Sequence, residues 1–241
     1  MGQDSVVAKR ARKTRTPADG GGRIAVRLTH VSKHEMSAPR GRNPKRGDDV
    51  RARVLEAALK CFGEFGFEGT STRAVADSAG ISHTLVIYHF QSKDQLWIAT
   101  VQNALERYGA DMRAALEKAQ SQNARAGLAA FIETFVRMSA RRPQIHRILT
   151  MQSNQDTKRL EWIIDNFIRD HFTTVRDLIR RGQAEGTVRQ CDPARLYYHI
   201  LGAGGTPFTI ATEYKAMTGR DIFSEAEILR TIAFVHDLVF V

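Results

Sequence analysis

The chain has 241 residues, a formal net charge of +10, 42% hydrophobic residues and two cysteines, Cys61 and Cys191. No apolar run approaches the roughly 20 residues that cross a membrane, and the basic N-terminus has no apolar stretch behind it, so neither a membrane span nor a signal peptide is expected. Two cysteines this far apart do not read as a disulfide framework, and one or two globular domains in a reducing cytoplasm are the expected setting.

The charge is unevenly placed. Residues 1–47 hold 12 Lys and Arg against 3 Asp and Glu, residues 48–95 hold 5 against 7, and residues 96–241 hold 19 against 16. Basicity therefore belongs mostly to an N-terminal arm, residues 1–45, with Lys9-Arg10, Arg12-Lys13, Arg15, Gly20-Gly21-Gly22, Arg40, Arg42 and Lys45. Poor in apolar residues and rich in turn formers, it is expected to be disordered when free. It reads equally as an electrostatic arm on DNA phosphates or the minor groove and as a solvated tail. Met36, followed by SAPRGRNPKRG, is a second candidate start, which would leave residues 1–35 untranslated.

A domain over residues 46–95 follows. Asp48 and Asp49 suit the positive end of a first helix, and Val50, Val54, Ala57/Ala58, Cys61/Phe62 and Phe65 recur at helical spacing until Gly66. Ser71 to Leu96 reads STRAVADSAGISHTLVIYHFQSKDQL. Ser71 or Thr72 can cap a helix with Val75, Ala76 and Ala79 inward. Gly80 supplies a left-handed turn, and Ser82 caps a second helix from His83 to about Phe90, with Val86 as its contact back to the first. Two short helices joined by a tight turn are the plan of a helix-turn-helix, in which the second helix enters the DNA major groove.

The tail makes this more specific. Ala79-Gly80-Ile81-Ser82, then Tyr88-His89-Phe90, Ser92-Lys93-Asp94 and Leu96, together with Gly66-Phe67-Glu68-Gly69-Thr70, resemble the TetR-type bacterial transcriptional regulators, closely over Asp48–Gln95. The resemblance implies that the second helix meets base edges through His83, Thr84 and Ile87. It implies phosphate contacts from Thr72, Leu85 through its backbone, Tyr88 and Lys93. His83 can donate or accept at a purine edge, while the Thr84 methyl and Ile87 can pack on a thymine methyl. Ile87 departs from the tyrosine often found at that place. Thr72 also reads as a cap, Tyr88 as a core aromatic and Lys93 as simply solvated. His89, Phe90, Val75, Ile81 and Val86 are assigned to packing. Arg51, Arg53, Arg73 and Lys93 are few cations for one half-site, which is the physical reason to give the arm a role.

Residues 96–241 are patterned as helices. Leu96–Ala119 connects the two domains. Ala126–Ala140, a short helix near Ile145–Met151, and an amphipathic helix over Leu160–Gln183 ended by Gly186 follow. Asp192-Pro193 starts a helix running to about Met217, bent near Gly202–Pro207, and Gly219 stops it; Ser224 caps the last helix. The expected fold is all-α: an N-terminal three-helix domain, then a larger helical ligand-binding and dimerisation domain. By resemblance, the last long helices form a dimer interface through Ile200, Leu201, Phe208, Ile228, Ile232 and Val235. The earlier ones enclose a ligand pocket lined by Phe131, Phe135, Met138, Trp162 and Phe167. An ordinary intrachain core reads the same in both places.

No catalytic constellation is expected. Gly202-Ala203-Gly204-Gly205 has no preceding strand and reads as close helix packing or a bend, and His146, His171 and His199 lack metal-ligand spacing, so no metal or cofactor is expected. The resulting reading is a homodimeric, sequence-specific DNA-binding regulator, cytoplasmic and nucleoid-associated, acting as a ligand-responsive repressor with double-stranded DNA and a small-molecule effector as partners. The alternatives are a non-specific, arm-driven DNA-binding protein and a small-molecule enzyme.

Overall fold

The computed structural model describes residues 44–120, 123–155 and 157–241. Residues 1–43 of the arm, with the alternative start at Met36, lie outside these residues, while Pro44 and Lys45, expected to belong to the arm, open the first helix. The described residues are helical, and their only strand-like pairing is one antiparallel bridge between Val188 and Phe240. No described helix is long and apolar enough to cross a membrane.

Helix α1 (Pro44–Gly69) begins about a turn before Asp48 and breaks at Gly66, whose φ of 70° and ψ of −178° only glycine adopts readily. Thr70, itself buried, closes the break by donating to the carbonyls of Cys61 (3.0 Å) and Gly66 (2.7 Å). Val54, Ala57, Ala58, Cys61 and Phe62 are buried as the periodicity predicts, but Phe65 is 57% exposed. Helices α2 (Thr72–Ala79) and α3 (His83–Phe90) follow, and α4 (Lys93–Gln120) starts three residues earlier than expected from Leu96.

Helix α4 serves two cores. Leu96, Trp97, Val101, Ala104 and Leu105 pack with the inner faces of α1–α3. Met112 and Leu116 pack with α5 (Ala124–Arg141), whose Leu128, Phe131, Ile132 and Val136 form the centre of the larger domain. Helix α6 (Pro143–Ser153) sends Ile148 into the first core and so belongs to the head by packing, though it follows the connecting helix in sequence.

The expected helix over Leu160–Gln183 is α7 (Lys158–Ile163), a π-helical turn (Ile164–Ile168) and α8 (Arg169–Ala184). The turn inserts a residue, with the Arg169 N–H donating to the Ile164 carbonyl, so Ile163 faces the head core while Val175, Leu178 and Ile179 face the body core. The helix from Pro193 is α9 (Pro193–Thr209) and α10 (Ala211–Thr218), and the last is α11 (Glu225–Val239). The break falls at Ile210, three residues beyond Pro207, and not within Gly202–Pro207. The glycines there serve close packing: a Cβ at Gly204 would lie 3.1 Å from Val136, and one at Gly205 would lie 2.6 Å from the His146 ring. Cys61 is buried and Cys191 exposed, and both are free thiols.

Candidate nucleic-acid interface and internal cavity

The turn between α2 and α3 is closed by hydrogen bonds on both sides. Ser71 accepts from the Ala74 N–H (3.0 Å), so Ser71 and not Thr72 is the cap of α2. Gly80, at φ 63°, ends α2 with its N–H on the Asp77 carbonyl and the Ile81 N–H on the Ala76 carbonyl, both at 3.1 Å. That double closure satisfies carbonyls the helix leaves open. The Arg53 guanidinium takes a third, donating to the Ala79 carbonyl at 2.6 Å. Arg53 therefore braces α1 against the turn instead of standing ready for phosphate. An arginine 26 residues away in sequence gives no local sign of this.

Thr72 is free of cap duty, and its hydroxyl lies 2.9 Å from His83 Nε2. The first residues of α2 and α3 are thus locked together, with His83 held at the start of α3. Thr84 is exposed, Ile87 is 37% exposed and Tyr88 62% exposed, so Tyr88 is not a core aromatic. Val86 and Phe90 are buried and His89 half-buried. The Leu85 N–H, expected at a phosphate, is occupied by Ser82, with its hydroxyl at 3.3 Å and its carbonyl at 3.0 Å. By helix geometry, the N–H groups of His83 and Thr84 are the ones this terminus leaves open. Lys93 donates to the Glu68 carbonyl at 3.3 Å and sits 4.4 Å from the Phe67 ring centre, at the start of α4. The Arg51 guanidinium lies over Phe90 at 5.6 Å.

Behind the head lies a cavity of about 1290 Å³. Phe135, Met138, Trp162 and Phe167 line it. Phe131 does not: it is completely buried behind the wall, in ring contact with Phe135 and His171. Leu201, assigned to a dimer face, lines the cavity instead. Sequence reasoning missed the polar wall. Tyr108, His146, His171 and Tyr197 all border the space, and His171 Nδ1 lies 3.3 Å from the Tyr197 hydroxyl. Burial holds His146 below the usual histidine range and His171 down to about 4, and it pushes both tyrosines up, so all four are neutral near pH 7.

The other residues expected at a dimer face pack inside the single chain. Ile200, Phe208 and Val235 are completely buried, and Ile228 and Ile232 are nearly so, all in the body core. The period that marks an apolar helix face does not say whether its cover comes from the same chain. The large apolar side chains left exposed on α11 are Leu229 and Phe234, with Ile210, Met217 and Phe223 exposed nearby in sequence.

A three-helix head with a capped α2–Gly80–α3 turn, joined to a larger helical body around a cavity, defines a helix-turn-helix transcriptional regulator. The chain belongs to the TetR family. Residues 54–100 match the bacterial regulatory proteins of the tetR family, and residues 125–239 match the tetracyclin repressor-like C-terminal domain. It is 26% identical over 186 residues to the HTH-type transcriptional regulator RutR of Escherichia coli (strain K12), covering 77% of this chain and 86% of that one. It is 31% identical over 161 residues to the HTH-type transcriptional regulatory protein RaaS of Mycobacterium tuberculosis, covering 65% and 69%. Among solved structures, the ketosteroid transcriptional regulator KstR2 of Mycobacterium tuberculosis superposes with a TM-score of 0.65 at 20% identity, over 79% of this chain and 95% of that one. The hemolysin II regulator HlyIIR does so with 0.59 at 22%, over 79% and 99%. At these identities the structural likeness speaks for the fold alone.

Proposed function

We propose that this DNA-binding regulator is a homodimeric repressor that leaves its operator when a small molecule fills the cavity. The observation that supports it most is the position of α6. Ile145, His146 and Leu149 border the cavity, while Gln144 of the same helix lies against Gly63 of α1 and Ile148 enters the head core. A ligand that favours one placement of α6 thereby favours one placement of the reading head, which is how two sites couple. Helix α4, shared by both cores, is the second route.

In this reading His83, Thr84 and Ile87 meet base edges, and Thr72, Tyr88, Lys93 and the open N–H groups of α3 meet phosphates. The second copy docks on the exposed apolar side chains of α11, Leu229 and Phe234, since Ile200, Phe208 and Val235 have no surface to offer. Two heads related by a twofold axis read a palindrome. The setting is cytoplasmic. A reporter driven by the DNA segment the protein retains tests the sign of regulation: deleting the gene for this chain raises reporter output for a repressor and lowers it for an activator.

A further inference from the structure

We propose that the cavity takes an uncharged, largely aromatic or polycyclic molecule carrying a carbonyl or hydroxyl group, anchored on the ring of His171. This deepens the reading of the cavity as the effector site and rests on it.

Three observations carry the assignment. First, the inner wall is aromatic, and the tyrosines and histidines set in it are neutral. Phe135, Trp162 and Phe167 supply ring surface, and Tyr108, His146 and His171 supply hydrogen-bonding groups with no formal charge. Burying a carboxylate or ammonium among such groups is costly unless a counter-ion meets it.

Second, the charged side chains that border the space do not favour an anion. They include the exposed Glu106, Glu117 and Asp170 against Arg113 and Arg142, and Arg142 is already held by Glu56 at 2.6 Å.

Third, the site holds an unanswered polar atom. In the tautomer in which the Tyr197 hydroxyl donates to His171 Nδ1, the proton of the neutral imidazole lies on Nε2; in the other, Nε2 is an acceptor for a hydroxyl. That Nε2 is buried without a hydrogen-bond partner and shows almost no surface to the cavity, so a ligand oxygen reaches it only as the rings around His171 shift. A buried donor left unpaired is costly, and an incoming carbonyl or hydroxyl oxygen recovers that cost. On the other side of the Phe131–Phe135 pair, His146 offers a second polar station, in ring contact with Phe135.

A matched pair of probes tests this on the full chain: pyrene-1-butanoic acid methyl ester and the free pyrene-1-butanoate anion. Energy transfer from Trp97 and Trp162 to pyrene reports binding without DNA. The ester is expected to bind about tenfold or more tightly than the anion. His171→Leu is expected to weaken the ester about three- to tenfold, and Tyr197→Phe, which keeps the ring volume, to weaken it in the same direction. Equal or tighter binding of the anion overturns the assignment, as does binding of neither probe. An ester affinity untouched by both variants overturns His171 as the anchor. DNA retention by the same preparation separates the two levels. A protein that retains specific DNA but ignores the ester refutes this inference alone, and one that binds the ester but no specific DNA refutes the operator reading.

Discussion

Gly63 of α1 faces Gln144 of α6 so closely that a Cβ on Gly63 would lie 2.7 Å from the Gln144 Cβ and 3.0 Å from its Cα. The neighbour is backbone and the root of a side chain, so it cannot simply swing away. Gly63→Ala is expected to destabilise the protein by about 1–3 kcal/mol through overpacking. Because the displaced helix borders the cavity, the same substitution is expected to change how far a cavity ligand lowers DNA affinity. Urea unfolding and operator titrations with and without ligand read the two effects separately. A variant with native stability and native coupling would contradict the role given to α6.

Arg159 joins α7 to the head. Its guanidinium lies 3.8 Å from the Phe67 ring centre and 6.0 Å from that of Trp97, with Glu68 at 3.6 Å and Asp94 at 3.7 Å. Both carboxylates are exposed, so the ion pairs contribute little, while the stacked cation contributes about 0.5–1 kcal/mol or more. Arg159→Ala is expected to cost about 1 kcal/mol and Glu68→Gln almost nothing. A double-mutant cycle between Arg159 and Phe67 is expected to show coupling, which a cycle with Glu68 lacks.

The bond of 2.9 Å between Thr72 and His83 predicts a binding effect with little stability effect. Thr72→Val keeps the shape and removes the hydroxyl. Folding stability is expected to fall by about 0.5–1.5 kcal/mol at most, as for one partly exposed hydrogen bond. Operator affinity is expected to drop about tenfold, because His83 loses its fixed orientation and a phosphate contact goes with it. Fluorescence anisotropy with the selected site measures the loss, and retained affinity would remove Thr72 from the interface.

Acid should loosen the body. Burial lowers the His171 pKa in the folded chain from 6.5 to about 4. The unfolded chain therefore takes up a proton that the folded chain refuses. Stability from this group is full above pH 6.5, falls as pH drops from 6.5 towards 4, and falls no further below that. At 1.36 kcal/mol per unit, the loss approaches about 3 kcal/mol. Melting temperatures across that window are expected to decline in the parent protein and to flatten in His171→Leu.

How much of this is legible in sequence depends on the range of the interaction. Ser71, Gly80, Ser82, Asp192 and Ser224 act on atoms three or four residues away, and each does what its local pattern predicts. The wall made by Tyr108, His146, His171 and Tyr197 comes from α4, α6, α8 and α9, and nothing local to any one of them signals the meeting. The π turn is invisible for a different reason: one extra residue in a helix shifts the register without breaking the apolar period. The apolar faces of α9 and α11 show the limit of periodicity, since Ile200 and Val235 satisfy it by packing within their own chain.

In the proposed function, α3 reads sequence from a twofold dimer. Selection from a genomic fragment pool, run with the intact chain, His83→Ala and Thr84→Ala, tests it most directly. A palindromic site recovered by the parent, and lost or altered at matching positions in both halves by either substitution, is the predicted result. Retention of random fragments that neither substitution changes, and that moderate salt abolishes, would contradict it and leave phosphate attraction as the whole of the binding.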